Sequence, residues 1–230
     1  MAFPTVQTTN HSNSGPTPTA THAASLPASL ATGDLILLFA SVNGSNMTIN
    51  TPTDWTQVGT FQIDNTQRMH LFKKTSDGGE GATVTLSNST STNRRYTTIS
   101  YRIDGAQNSD VEMTAVDTSG GSDPDCPSET ASWGSDDNLW LAYFSSRENG
   151  GAAITVGTYP TGFTSGILDN GGELGCQTSA CAQRNEATAT KDPGAYSATN
   201  DNNTISVTVV IRPEVVASAA STLMLMGVGA

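Results

Sequence analysis

The chain has 230 residues and a formal net charge of -11, with ten Lys and Arg against 21 Asp and Glu. So few cations cannot form the basic stripe that phosphate neutralisation requires, which argues against nucleic acid and anionic membrane surfaces as partners. Charged residues make up only 13% while Thr, Ser, Asn and Gly abound, the composition of twisted sheets and tight turns rather than of solvated helices.

The chain starts MAFPTVQTTNHSNSGPTPTATHAA, which has neither the basic start nor the apolar core of a secretory signal, so synthesis and retention in the cytoplasm are expected. A strand over 5–9 gives way to a loop marked by Pro, Gly and Ser. Further strands are predicted over 19–25, 34–42, 55–63, 68–74, 82–87 and 95–103. DLILLFASVNG from Asp34 is a short apolar run bounded by turn signals, which suits a strand buried on both sides. Val84 and Leu86 alternate with Thr83 and Thr85, placing one face on a core and hydroxyls in water. The stretch SGGSDPDCPSETASWGSDD then separates two halves; its glycines and prolines argue against regular structure.

The second half repeats the first. NLWLAYFSSRENG from Asn138 echoes the run at Asp34, TVGTYPTGFT answers TINTPTDWT, and TISVTVVIRP closes this half as YTTISYRI closes the other. Its strands are expected over 138–145, 154–158, 181–190 and 204–212, with SGILDNGGELGCQTSA as a glycine-rich surface excursion. Ile205, Val207, Val209 and Ile211 form a period-2 core face whose register a one-residue slip would invert. The fold class expected is all-β: an antiparallel, jelly-roll-like β-sandwich of two pseudo-repeated strand sets, about 26–105 and 127–213, in a single domain over 1–213.

No catalytic, cofactor or metal site is predicted. Cys126, Cys176 and Cys181 are an odd count that fits free thiols, although the short loop between the last two could close a bridge after release from the cell. His11, His22 and His70 have no paired spacing for zinc and read as surface or strand-facing residues. Asp110, Glu112, Asp117, Asp123, Asp125, Asp136 and Asp137 could supply a carboxylate pair for glycoside hydrolysis or calcium ligands, but without an EF-hand loop or a nonapeptide repeat they read as solvated loop acids. Trp140 belongs to the core, while Trp55 and Phe163 occupy equivalent places after proline turns and would plug the sandwich ends. Trp133, between Ser132 and Gly134, is the aromatic placed to contact a glycan. Residues 214–230 form an apolar tail, too short and interrupted to insert in a membrane. Its Val215, Val216, Leu223, Met224, Leu225, Met226 and Val228 are expected at an interface, because they would be an aggregation liability in water.

Taken together, LPASLATGDLILLF, the TPTDWT turn, EGATVTL, YRIDGA, DNLWLAYF, YPTGFTSG, DPGAY and the closing VVIRP resemble a jelly-roll-like β-sandwich family of bacteriophage virion structural proteins, over Leu26 to Pro213. The resemblance implies a virion component made in the host cytoplasm and displayed on the particle: a capsid decoration, or cement, protein on the exterior. Its implied partners are the major capsid protein, other virion proteins and further copies of itself. The alternatives are a tail-fibre or receptor-binding adhesin that recognises surface glycans and, less favoured, a glycan-cleaving enzyme. The cysteines and the apolar extension past Pro213 depart from the family's usual pattern.

Overall fold

The computed structural model describes residues 2–44, 47–63, 66–119, 123–147, 154–171, 177–199 and 203–215. The first half contributes β1 (Thr5–Asn13), β2 (Thr21–Ser25), β3 (Leu35–Asn43), β4 (Thr56–Ile63), β5 (Gln67–Thr75), β6 (Thr83–Ser87) and β7 (Tyr96–Asp104). The second contributes β8 (Ala106–Asp117), β9 (Asp125–Cys126), β10 (Glu129–Thr130), β11 (Asp137–Arg147), β12 (Val156–Thr158), β13 (Thr164–Asn170), β14 (Gln177–Ala187), β15 (Thr190–Lys191), β16 (Gly194–Ala195), β17 (Ser197–Ala198) and β18 (Asn203–Pro213). No helix occurs among the described residues, hence none long and apolar enough to cross a membrane.

The duplication seen in the sequence is a duplication of topology. One five-stranded antiparallel sheet runs β1-β7-β3-β5-β4, and the other runs β8-β18-β11-β14-β13, the same order strand for strand. Register makes the equivalence specific to residues. Leu35, Leu37 and Phe39 lie opposite Ile103, Tyr101 and Ile99, as Leu139, Leu141 and Tyr143 lie opposite Ile211, Val209 and Val207. The proline turns match too: Trp55 N donates to Pro52 O at 3.2 Å and Phe163 N to Pro160 O at 3.0 Å. Their third residues, Asp54 (φ 65) and Gly162 (φ 79), hold the left-handed conformation a type II turn demands.

Apolar side chains fill three cores. The central one lies between the two large sheets and takes Leu35, Leu37, Phe39 and Leu71 from one, and Leu141, Tyr143, Val207 and Val209 from the other. At its middle the equivalent residues Phe39 and Tyr143 stack on each other, ring centroids 4.4 Å apart and planes 14° apart. The outer face of the first sheet carries Leu38, Ala40, Val42 and Phe72 under the β2–β6 ribbon. On the second sheet Trp140, Phe144 and Val210 pack with Cys126 and Tyr196, beneath the short pairs β9–β16, β10–β15 and β12–β17. The molecule is thus four layers deep, ribbon, sheet, sheet and ribbons. This is why β3 and β11 are buried on both faces and why their sequences are continuous apolar runs.

Several polar groups inside the central layer are paired, while Tyr101 Oη and Ser145 Oγ are buried without a hydrogen-bond partner. Tyr143 Oη lies 2.9 Å from both Ser41 Oγ and Ser179 Oγ, and Ser179 continues to Thr97 Oγ1 at 2.6 Å. Gln67 and Gln177 are equivalent positions, facing Asn43 and Arg147 respectively. Gln67 Nε2 donates across the gap to Ser145 O at 3.1 Å and Asn203 O at 2.7 Å. With its amide oriented to satisfy its neighbours, Gln177 donates to Gln67 Oε1 at 2.9 Å and Ser146 O at 3.0 Å.

The short strands β9 and β10, in the stretch expected to lack regular structure, and β16 and β17 were not expected from the sequence, and three segments of the two large sheets also differ from expectation. The first strand runs on to Asn13; residues 106–117, where no strand was expected, form β8; and the supposed excursion after Phe163 contains β13 and the start of β14. All three involve edge strands, β1, β8 and β13, whose outward positions carry polar residues and whose apolar alternation is correspondingly weak.

Candidate functional site

The first candidate is the end of the sandwich where the chain leaves it. Thr5 pairs with Asp104 and Pro213 with Ala106, so both chain ends emerge beside the link between the halves. Glu214 N donates to Gly105 O at 2.8 Å, and Val215, the first apolar residue of the tail, is 49% exposed. The other expected interface residues, Val216, Leu223, Met224, Leu225, Met226 and Val228, lie outside the described residues. Beside this exit is a cleft of about 550 Å³ lined by Thr32, Gly33, Asp34, residues 104–109 and Glu214. Its walls are pinned: Asp34 Oδ2 accepts from Ala31 N and from Arg102 Nε, each at 2.6 Å, and Asn108 Nδ2 donates to Gly33 O at 2.9 Å. This polar lining offers hydrogen bonds, not an apolar seat for the tail.

Trp133 sits in the turn before β11, closed by Gly134 N donating to Ala131 O at 3.0 Å. The ring is half-buried against the outer core of the second sheet. Its Nε1 donates to Asn138 Oδ1 at 2.9 Å, and the Arg212 guanidinium lies over the ring at 6.0 Å. Arg212 in turn donates from Nη1 to Asp110 Oδ2 and from Nε to Asp136 Oδ2, both at 3.0 Å. These two bonds, Asp110 first, raise the basicity of Arg212. Burial opposes ionisation of Asp110, but Ser109 and Arg212 outweigh it and lower its pKa. Glu112 accepts from Ser132 N at 2.9 Å and Ser132 Oγ at 2.5 Å. The corner therefore ties edge strand β8 to the turn before β11, with part of the indole left open to solvent.

Other acids singled out in the sequence hold loops. Asp117 accepts from Ser119 N at 2.8 Å and Asp123 from Ala198 N at 3.0 Å. Among the described residues no group of three or more His, Cys, Asp or Glu is placed to hold a metal ion. Cys126 and Cys181 are buried free thiols, and burial pushes the Cys181 thiol up to about 12. Cys176 lies outside the described residues.

Of the three histidines expected at the surface or facing out from a strand, His11 is exposed on β1, whereas His22 and His70 are buried. His70 is fully buried, accepts from Ile49 N at its Nε2 (3.1 Å), meets Gln57 Oε1 at its Nδ1 (3.1 Å) and stacks on Phe72. Burial, helped by the charge of Arg68, lowers its pKa to about 3. His22 stacks on Tyr96 and meets Ser12 Oγ at 3.0 Å; burial lowers its pKa against the opposing influence of Asp169. Asp169, 1% exposed on β13, accepts from Asn13 Nδ2 at 2.7 Å and from Thr98 N at 3.3 Å, and meets His11 Nδ1 at 3.3 Å. A Ser–His contact and a buried aspartate thus share one edge, but the carboxylate bonds to His11 and Asn13, where it fastens β1 to the opposite sheet. None of this was legible in spacing, because the partners are far apart in the chain.

No protein-family model, curated protein or solved structure matches the chain.

Proposed function

We propose that this protein is a bacteriophage virion structural protein, a decoration or cement protein on the capsid exterior that reinforces or coats the shell. The observation that carries the reading is the division of labour along the chain. Among the described residues of 5–213, most large apolar side chains lie in or against three cores, whereas the sequence from Val215 onward is apolar again and starts from an exposed residue at the end that also holds the N-terminal strand's start. Each apolar side chain buried on a shell contributes ~1.5 to 3 kcal/mol before ordering costs, so a few suffice to hold a subunit, with the major capsid protein or another copy as the surface. An acidic outer face, net charge -11, does not compete for a packaged genome.

Quantitative mass spectrometry of purified particles tests this. Hundreds of copies per particle, lost when the chain is truncated after Glu214, is the expected result; particles that lack the polypeptide would rule it out. The second reading, a tail-fibre adhesin, draws on the partly open Trp133 ring with carboxylates beside it. It requires few copies per particle and glycan-array binding that disappears in Trp133→Ala.

A further inference from the structure

A sheet edge is where another chain can add a strand, and three of the four edges of the two large sheets carry devices that end pairing. β1 shifts register between Val6 and Thr8 and is tied to the segment after β2, with Asn10 Nδ2 donating to Leu26 O at 2.9 Å and Thr8 Oγ1 to Ala28 O at 3.2 Å. β4 and β13 are interrupted by shifts between Gln57 and Gly59 and between Thr164 and Ile167. β8 differs, keeping one unbroken register with β18 over 111–117. Thr118 N donates to Thr204 O at 2.9 Å, which sets the alternation along this edge. Glu112, Thr114 and Val116 turn their main-chain groups to β18, while Val111, Met113, Ala115 and Asp117 turn theirs away from it. Those four have no main-chain partner on that side among the described residues. Lys73 Nζ takes Ser109 O at 2.6 Å, so the open stretch begins after it.

Exposed apolar surface and charge indicate what pairs there. Among the described residues two large apolar side chains are exposed: Val116, 37%, on this edge, and Val215, 49%, where the tail begins. β8 carries Asp110, Glu112 and Asp117 and no cation, so two copies set β8 against β8 would bring acid against acid. The sequence from Val215 to Ala230 has no charged residue and no proline, so nothing in it repels that edge or withholds a donor from a ladder. The tail leaves where Pro213 pairs with Ala106, at the start of β8. Running back along its own β8 it would lie parallel to that strand, whereas a tail from another copy can enter at the Asp117 end and pair antiparallel, the more stable ladder.

We propose that the apolar tail of one copy, from Val215 onward, adds as an antiparallel strand to residues 111–117 of β8 in a second copy. The outward main-chain groups of Val111, Met113, Ala115 and Asp117 supply the hydrogen bonds, and Val116 supplies an apolar seat. This pairing rests, like the virion reading, on the tail being an interface, but it needs no particle.

Sedimentation equilibrium of the purified full chain tests it. Dimers or longer assemblies at micromolar concentration are expected, and truncation after Glu214 yields monomers. Ala115→Pro removes an outward N–H that the β18 ladder does not use, and Val116→Asp puts an acid on the open edge; each keeps the tail and raises the dissociation constant about tenfold or more. Val116 is exposed, so its variant keeps the test standing should Ala115→Pro fail to fold. Mixing separates edge from tail: the chain truncated after Glu214 keeps the edge, the Val116→Asp chain keeps the tail, and together they form a mixed assembly. A monomeric full chain overturns the proposal, as does association that survives both edge variants or is absent from the mixture. Monomers would leave the copy number on particles untouched, and particles without the polypeptide would leave the edge-to-tail pairing untouched.

Discussion

Tyr143→Phe isolates the joint between the two repeats. The six-membered aromatic ring stays, so the stack on Phe39 at 4.4 Å is kept and no large cavity opens. What goes is the hydroxyl, which meets Ser41 Oγ and Ser179 Oγ at 2.9 Å each. Two neutral bonds contribute about 0.5 to 1.5 kcal/mol apiece, and Ser41 Oγ, with no second partner among the described residues, is left buried and unsatisfied. Ser179 keeps Thr97 at 2.6 Å. The expected loss is about 2 kcal/mol, read as a lower urea midpoint at unchanged slope. Adding Ser41→Ala removes the orphan hydroxyl, so the double variant should be more stable than the sum of the singles implies. Burial pushes the Tyr143 hydroxyl up to about 12 against its hydrogen bonds to Ser179 and Ser41, whereas an unfolded tyrosine ionises near about 10. Its contribution is therefore complete below pH ~10 and is lost as pH rises towards 12, a slope that Tyr143→Phe flattens. A Tyr143→Phe midpoint equivalent to within about 0.5 kcal/mol of the parent, with additive behaviour in the double variant, refutes the joint.

Three further outcomes are expected. Asp54→Gly should stabilise by about 0.5 to 1 kcal/mol, because Asp54 holds φ 65 where its counterpart is Gly162; an unchanged or lower urea midpoint contradicts the turn assignment. His70 stays neutral in the fold with its pKa lowered to about 3, so its contribution is complete above pH ~6.5 and is lost as pH falls through the range down to 3. NMR should show its ring without titration above pH ~4, and a midpoint near 6.5 would contradict its burial. Thiol labelling should reach Cys126 and Cys181, both fully buried, only on unfolding; rapid labelling of the folded chain at either position would count against the cores described.

The strands that were legible in the sequence are those buried on both faces, such as β3 and β11, because double burial forces an uninterrupted apolar run. The two turns were legible for a related reason: a proline three residues before an aromatic marks equivalent ends of equivalent strands, at Pro52 and Pro160. β8 and β13 were not, since an edge strand needs apolar residues only on its inner side, and in β13 Gly166 lies under the Tyr159 ring with no Cβ of its own. Burial of His70, Asp169 and the Gln67–Gln177 pair was illegible because each is satisfied by residues distant in the chain. Alternation in β18 correctly identified Ile205, Val207, Val209 and Ile211 as the central face. It gave no sign that Ser206 and Thr208 are buried as well, where Thr208 Oγ1 donates to Pro127 O at 2.5 Å.

The functional account is tested most directly by a density map of the intact particle at a resolution that traces strands. The account places two stacked five-stranded sheets on the outer surface of the shell, with the end bearing Glu214 directed at the capsid. Density for this chain inside the shell, or anchored through the opposite end, where Asn13 pairs with Thr97, would contradict it.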